Sequence, residues 1–219
     1  MPPEPLLLAF DTSAAHCAAA LLCGERVAAS RTEPMARGQA ERLVPLLEEV
    51  LAEGGARWAD LAGIGVCTGP GNFTGVRISV ATARGLALSL GRPAIGVSRL
   101  EALAAGHDGP VLALVDARQG RFYAQLFGAG AAEAPRMTDA DTLAAETWPD
   151  GLTIVGAEAE PLAARLGARA AGQGDAPDPV ALARIALSRL ATPGPRPAPL
   201  YLRAADAALP SEQPPVILP

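Results

Sequence analysis

The loop at residues 69–75 has the residue types expected of an anion site. It reads Gly-Pro-Gly-Asn-Phe-Thr-Gly and lies between a short apolar segment and a helical pattern. Free backbone N–H groups at a helix start carry partial positive charge, and glycine lets the backbone approach a phosphate closely. The candidate phosphate-proximal residues of this loop are Gly69, Gly71, Asn72 and Thr74. The alternative is that the glycines serve a sharp turn and tight helix packing, with Asn72 or Thr74 as the helix cap.

Several other chemistries are excluded by composition. All 18 basic residues are Arg, so the chain has no P-loop lysine and no lysine for a Schiff base. The three cysteines form no C-x-x-C pair, which argues against a disulfide framework and a zinc site. The two histidines, His16 and His107, are isolated in the sequence, and we expect them in turns or at the surface rather than as metal ligands.

Charge and hydropathy set further limits. The net charge is −5, and the acidic excess is spread over both halves of the chain, so neither half is a basic platform for nucleic acid. No apolar run is long enough to cross a membrane. Residues 1–5 carry no basic side chain, and the apolar run after them is too short for a signal peptide. We therefore expect a cytoplasmic protein.

Apolar periodicity predicts an α/β chain. The expected strands are residues 6–10, 18–22, 26–31, 64–67, 94–97, 111–115, 121–127 and 153–155, with a further candidate at 200–203. The expected helices are residues 36–54, 74–90, 99–105, 139–148, 158–166 and 179–190. The glycine-rich loop thus joins a strand to a helix.

One local pattern occurs twice. A strand ending in Asp11 leads through a tight turn into a second strand, and the same order of features surrounds Asp116. Two similar units about 100 residues apart in the sequence suggest two related lobes. We predict an N-terminal lobe at 1–105, a smaller C-terminal lobe at 106–209, and a flexible tail at 210–219.

These segments resemble the TsaB (YeaZ) family. The similar stretches are residues 8–13, 69–78, 96–100, 115–123 and 201–203. The resemblance is dense over 6–127 and thin from about 130 to 198. It implies an actin/Hsp70-like (ASKHA, ribonuclease H-like) α/β fold, with two lobes built on mixed sheets flanked by helices and the second lobe reduced.

The resemblance also implies candidate site residues. Asp11 and Asp116 sit where that superfamily places its phosphate-loop and metal-organising carboxylates. The resulting nucleotide-proximal candidates outside the glycine-rich loop are Asp11, Thr12, Ser13, Asp116 and Arg118.

Membership of this family implies a subunit without catalytic residues of its own. It would bind a TsaD-like catalytic subunit that transfers threonylcarbamoyl to N6 of adenosine 37 in tRNA. A TsaE-like ATPase would be a second partner, and tRNA would be engaged only through the complex. We expect no cofactor on the chain alone. The sequence leaves two alternatives open: whether ATP or ADP binds at the partner interface, and whether the isolated chain is a homodimer or a monomer.

The helices at 36–54 and 74–90 are the expected partner surface. Gly75, Ser79, Ala83 and Ala87 recur every fourth residue, and such a stripe of small side chains lets another helix approach closely. The second helix is also apolar nearly all round, which indicates burial on several sides. The predicted interface residues are Leu43, Leu47, Val50, Gly75, Val76, Ser79, Val80, Ala83 and Ala87.

Two departures from family patterns bear on activity. Where TsaD-like chains carry a pair of metal-binding histidines, this sequence has Arg99 and Leu103, which predicts that the metal site is missing. Where the family often has His-Ser-Glu, residues 39–41 read Gln-Ala-Glu. The alternatives kept open are an actin-fold ATP-binding kinase or ATPase and a glycoprotease-like (peptidase M22-like) metallopeptidase, which would need the missing ligands.

Overall fold

The computed structural model describes residues 4–130, 133–172, 174 and 176–202. Within these ranges, ten strands form two five-stranded sheets. The first sheet contains β1 (Leu6–Asp11), β2 (His16–Cys23), β3 (Arg26–Pro34), β4 (Leu61–Cys67) and β5 (Ala94–Val97). The second contains β6 (Val111–Arg118), β7 (Arg121–Phe127), β8 (Arg136–Asp139), β9 (Thr153–Gly156) and β10 (Arg169–Ala171). The helices are α1 (Gln39–Glu53), α2 (Phe73–Leu90), α3 (Arg99–Ala104), α4 (Ala140–Ala145), α5 (Ala159–Leu166) and α6 (Pro179–Ser188), with a 3-10 turn at Trp58–Asp60.

The two sheets have the same topology. The first has the strand order β3-β2-β1-β4-β5, and the second has the order β8-β7-β6-β9-β10. In each sheet the first three strands pair antiparallel in chain order. The fourth strand pairs parallel with the first, and the fifth pairs parallel with the fourth. The repeated strand–Asp–turn–strand unit that the sequence predicts is therefore the antiparallel start of each sheet.

Both faces of the first sheet are covered by helices. Alternate residues of a strand point to opposite faces. In β1, Leu8 and Phe10 pack with the apolar side chains of α1 and α2, whereas Leu7 and Ala9 pack with those of α6. This double burial explains why β1 is a continuous apolar run rather than an alternating one.

The second sheet is covered in the same way. Leu112 and Leu114 of β6 pack with residues of α4 and α5, while Ala113 and Val115 pack with Leu100 of α3. Because α3 and α6 also contact each other, these two helices lie between the sheets. The predicted two-lobed α/β fold with mixed sheets flanked by helices is confirmed.

Helix α6 returns to the first sheet. It follows the second sheet in sequence, yet its apolar face contacts β1, β2 and β4 of the first sheet. Leu182, Ala183 and Ala186 are fully buried there. A simple division of the chain after residue 105 does not capture this return, because an apolar helix pattern does not indicate which sheet it will cover.

Some predicted elements differ from those observed. The helix predicted at 139–148 is confined to α4, and the short strands β8 and β10 were not predicted. Residues 200–202 form no strand, although the Leu200 N–H donates to the Thr68 carbonyl at 2.8 Å. The end of that predicted strand, at 203, and the predicted tail at 210–219 lie outside the described residues. No helix in the described part of the chain is long and apolar enough to span a membrane.

Candidate functional site

The carboxylate of Asp11 is enclosed at the end of β1. Its side chain is only 1% exposed. Its Oδ1 accepts a hydrogen bond from the Ser13 N–H at 2.7 Å, and its Oδ2 lies 2.9 Å from Nε2 of His16. His16 begins β2 and is itself buried, so the expectation that it lies at the surface is wrong. The hairpin brings β2 back beside β1, and this return places the imidazole on the carboxylate.

The surroundings of Asp11 favour its ionised form. Burial alone would raise the pKa of this carboxyl group. The hydrogen bond and charge of His16, the charge of Arg99 and the Ser13 N–H outweigh burial and hold the pKa below its ordinary value of 3.8. Asp11 is therefore a buried carboxylate that is already partnered.

The glycine-rich loop packs directly against the turn that follows Asp11. The Thr12 hydroxyl donates to the Gly75 carbonyl, and the Asn72 N–H donates to the Ser13 carbonyl, both at 2.7 Å. A Cβ atom on Gly75 would lie 1.9 Å from the Thr12 carbonyl oxygen, and one on Gly71 would lie 2.3 Å from that of Ser13. These two glycines therefore serve close packing, which is the alternative that the sequence left open.

The N-terminus of α2 is closed by its own cap. Oδ1 of Asn72 accepts the N–H groups of Thr74 and Gly75 at 3.0 and 3.1 Å. The Val76 N–H donates to the Asn72 carbonyl at 2.9 Å. Asn72, rather than Thr74, is the cap. Because these donors are engaged within the chain, they are not free to bind a phosphate in this conformation.

A cavity of about 650 Å³ lies between the two strand–Asp–turn–strand units. Asp116 is exposed there, and its Oδ1 accepts the Arg118 N–H at 2.7 Å. Of the predicted nucleotide-proximal residues, the cavity brings together Ser13, Gly71, Asn72, Asp116 and Arg118. Asp11, Thr12, Gly69 and Thr74 are not among its lining residues.

Four polar or aromatic lining residues of this cavity were not predicted. They are Gln39, Phe73, Arg99 and Tyr123. Gln39 and Arg99 had been singled out only as departures from family patterns. Their contact with the cavity depends on how α1 and α3 begin, which apolar periodicity does not specify.

Comparison with known families identifies the chain. The model of the family described as TsaD, tRNA N6-adenosine threonylcarbamoyltransferase, matches residues 27–146. This match covers more than half of the chain. The chain belongs to the TsaD family.

Among relatives, the chain resembles TsaB (YeaZ) proteins. It is 38% identical over 122 residues to the tRNA threonylcarbamoyladenosine biosynthesis protein TsaB of Escherichia coli K12, a match covering 53% of this chain and 52% of that one. It therefore matches the curated relatives over about half their length. A Pseudomonas aeruginosa protein described as similar to peptidase YeaZ superposes with a TM-score of 0.78 at 29% identity, covering 91% of this chain and all of that one.

A more distant structure supports the fold class alone. Component A of (R)-2-hydroxyglutaryl-CoA dehydratase from Acidaminococcus fermentans superposes with a TM-score of 0.54 at 11% identity. This alignment covers 86% of the chain and all of the dehydratase component. The likeness therefore extends over both sheets, and it fits the actin-like fold that the sequence implies for this TsaD-family chain.

Arg99 and Leu103 have different surroundings in this TsaD-family chain. Arg99 is 3% exposed, begins α3, and donates its N–H to the Gly69 carbonyl at 2.7 Å. Leu103 packs against the core of the second sheet. Across the described ranges, no group of three or more His, Cys, Asp or Glu side chains is arranged to hold a metal ion.

Burial raises the pKa of the Cys67 thiol, with the charge of Asp11 as a second cause, so this thiol is a poor nucleophile.

The predicted interface residues are mostly internal to this TsaD-family chain. Eight of the nine are buried: Leu43, Leu47, Val50, Gly75, Val76, Ser79, Val80 and Ala83. Ala87 is half-buried. The prediction that they form a partner surface is corrected, because α1 and α2 turn this face onto β1, β2 and β4 of their own chain. The stripe of small residues allows the helix to approach the sheet.

The outward face of α1 and α2 carries other residues. Leu88 is 77% exposed and Val44 is 41% exposed. Ala81 and Gly85 are exposed on α2, and Ile78 is half-buried beside them. We call these five residues, Val44, Ile78, Ala81, Gly85 and Leu88, the outer helix face.

Proposed function

We propose that this chain is a non-catalytic subunit required for threonylcarbamoyl transfer to N6 of adenosine 37 in tRNA. Membership of the TsaD family and the similarity to the E. coli tRNA threonylcarbamoyladenosine biosynthesis protein TsaB support the pathway. The observation that carries the non-catalytic role is the state of Asp11. Both of its oxygens already accept hydrogen bonds in a site closed to solvent, so it is not available to a metal-bound phosphate.

The chain acts by binding a TsaD-like catalytic subunit. The outer helix face supports this, since exposed side chains such as Leu88 and Val44 gain from being covered. Ala81 and Gly85 have no bulk that would keep a partner helix away. The free chain self-associates through the same face, as isologous contacts commonly do.

The remaining partners join through that complex. A TsaE-like ATPase and the tRNA are engaged by the assembly, because a chain with a net charge of −5 has little electrostatic attraction for tRNA alone. ATP or ADP binds at the joint interface rather than on the isolated chain.

A second candidate function is ATP binding by the chain itself, as an actin-fold kinase or ATPase. The specific observation in its favour is the cavity, where the exposed Asp116 carboxylate lies beside Arg118. Calorimetric titration of the isolated chain with ATP and Mg²⁺ distinguishes this function from that of a non-catalytic subunit. We expect no binding at concentrations that saturate ordinary actin-fold kinases.

The decisive test of the proposed function uses two matched substitutions on α2. Ala81→Arg puts a bulky charge on the outer helix face, whereas Ala83→Arg puts it into the core, where Ala83 is fully buried. We expect Ala81→Arg to fold like the wild type and to lose about 3 kcal/mol of affinity for the TsaD-type subunit of the same genome, roughly a hundredfold. We expect Ala83→Arg to unfold.

The outcomes separate the parts of the proposal. If the wild-type chain does not bind the TsaD-type subunit in calorimetry, the proposed function is wrong. If the wild type binds and Ala81→Arg binds equally well, the partner uses another surface. Circular dichroism of each variant provides the folding control.

A further inference from the structure

Three exposed side chains form a stack at the start of α2. Phe73 and Tyr201 are 54% and 48% exposed, and their ring centroids lie 5.3 Å apart. Cζ of Arg77 lies 3.6 Å above the Phe73 ring centroid. Nε of Arg77 donates to the Tyr201 hydroxyl at 2.7 Å. Phe is among the residue types most often buried, and aromatic residues and Arg are enriched at protein–protein interfaces, so this exposed cluster is a candidate contact surface.

The stack holds Arg77 in one orientation. The guanidinium is planar and stacks on aromatic rings, so the cation–π contact with Phe73 and the Tyr201 hydrogen bond both restrict it. Only Nε is used in the bond to Tyr201. Among the ion pairs of the described residues, none joins Arg77 to a carboxylate. Its terminal nitrogens thus remain as a prearranged donor fork, and the entropy of ordering the side chain is lost before binding.

Tyr201 reaches this place from a distant part of the chain. The segment after α6 returns to the first sheet, where the Leu200 N–H donates to the Thr68 carbonyl at 2.8 Å. Pro197 is buried next to Gly96 of β5. The backbone around Tyr201 is therefore anchored, and Tyr201 acts as a positioning residue for Arg77.

The stack lies at one end of a stripe along α2. Phe73, Arg77, Ala81, Arg84 and Leu88 follow one another at steps of three or four residues, which places them on one side of the helix. The stripe shares Ala81 and Leu88 with the outer helix face. Arg77 is thus bordered by exposed apolar surface and adjoins the proposed partner contact.

The kind of ligand follows from these neighbours. A guanidinium fork binds carboxylates and phosphates alike. A phosphate backbone would leave Leu88, at 77% exposure, uncovered, and the exposed Glu41 and Glu48 of α1 would repel it. A protein surface can supply a carboxylate and apolar side chains together. Buried Arg and aromatic anchors of this kind dominate protein–protein interfaces.

We propose that Phe73, Arg77 and Tyr201 form a preorganised clamp for a carboxylate on the partner protein that covers the outer helix face. This inference rests on the proposed function, and it assigns the chemistry of one contact within it. The carboxylate accepts from the terminal nitrogens of Arg77, while the rings of Phe73 and Tyr201 exclude water around the pair.

The test is calorimetry of the full chain with the TsaD-type subunit of the same genome at several salt concentrations. We expect Arg77→Met to weaken binding by about ten- to a hundredfold and to flatten its salt dependence, because a charge pair is lost. Arg26→Met is the control, since Arg26 is an exposed arginine of β3, outside the outer helix face; we expect a change of less than about threefold. Tyr201→Phe should weaken binding by about threefold with the salt dependence retained.

If the wild type binds and Arg77→Met binds with the same affinity and salt dependence, the clamp is wrong while the proposed function stands. If Arg77→Met instead reduces binding of tRNA and leaves the protein partner unaffected, the carboxylate assignment is overturned. If the wild-type chain does not bind the TsaD-type subunit, the proposed function itself is wrong. Thermal unfolding of each variant, expected to match the wild type, checks that none acts through folding.

Discussion

The two strand–Asp–turn–strand units of this chain share their backbone design and differ in what surrounds the carboxylate. In both, Oδ1 of the aspartate accepts the N–H two residues later at 2.7 Å, from Ser13 in the first unit and Arg118 in the second. Asp11 is enclosed and also bonded to His16, whereas Asp116 is exposed at the cavity. The turn chemistry is thus conserved between the halves, and the environment is not.

The difference arises from the segments that follow the next strand. In the first half, the glycine-rich loop and α2 close over the Asp11 turn through Thr12, Ser13 and Asn72. In the second half, β9 ends at Gly156, which lies against the Leu114 backbone and leads into the short helix α5. No comparable cover reaches Asp116 in the described residues. The first aspartate is therefore part of the folded interior, whereas the second faces solvent.

The largest expected effect is the loss of the Asp11 carboxylate. Asp11→Ala leaves the Ser13 N–H and His16 without their partner in a buried site, which should cost about 3–5 kcal/mol of unfolding free energy. The same substitution in the second unit, Asp116→Ala, removes an exposed hydrogen bond and should cost less than about 1 kcal/mol. Urea unfolding followed by circular dichroism measures both. Equal losses would remove the distinction between the two units.

A smaller effect is expected where α2 closes over the first unit. In Gly75→Ala the new methyl group would meet the Thr12 carbonyl, 1.9 Å away in the unrelaxed structure, and the resulting overpacking should cost about 1–3 kcal/mol. Gly85→Ala lies on the same helix with open space around its Cβ position. It should stabilise the chain by about 0.5–1 kcal/mol. If the two substitutions shift the urea midpoint in the same direction, the start of α2 does not pack tightly against the turn after Asp11.

The mildest expected effect is on pH dependence. Because the pKa of folded Asp11 lies below its ordinary value of 3.8, the carboxylate contributes its full stability above that value. This contribution is lost as the pH falls through the folded pKa. The difference in unfolding free energy between the wild type and Asp11→Ala should therefore narrow below about pH 4. The difference in unfolding free energy between the wild type and Asp116→Ala serves as the control. If the difference for Asp11→Ala grows on acidification, the account is contradicted.

Much of the fold could be predicted from the sequence because it depends on local periodicity. The helical pattern at 74–90 corresponds to α2 at Phe73–Leu90, and the strands on either side of Asp11 form the expected hairpin. The repeat was visible because both units place an apolar strand before an aspartate and a tight turn. The short strands β8 and β10 have no such signal, since each has only three or four residues.

The candidate site was less predictable because it depends on long-range packing. The stripe of Gly75, Ser79 and Ala83 indicates close approach, yet a sequence pattern does not distinguish the chain's own sheet from a partner. His16 appeared isolated, since its pairing with Asp11 requires the hairpin register. Arg77 drew notice only as part of a family motif, because Tyr201, which holds it, is 124 residues away in sequence.

The most direct test of the central claim is reconstituted threonylcarbamoyl transfer to tRNA, with this chain as the only varied component. Transfer is measured with the wild type, with Asp116→Asn at the open carboxylate, and with Ala81→Arg on the outer helix face. If the chain acts only by binding, the Asp116→Asn variant should support transfer at the wild-type rate. The Ala81→Arg variant should lose most of the transfer activity. If Asp116→Asn abolishes transfer while it still binds the TsaD-type subunit, the chain has a catalytic role and the central claim is contradicted.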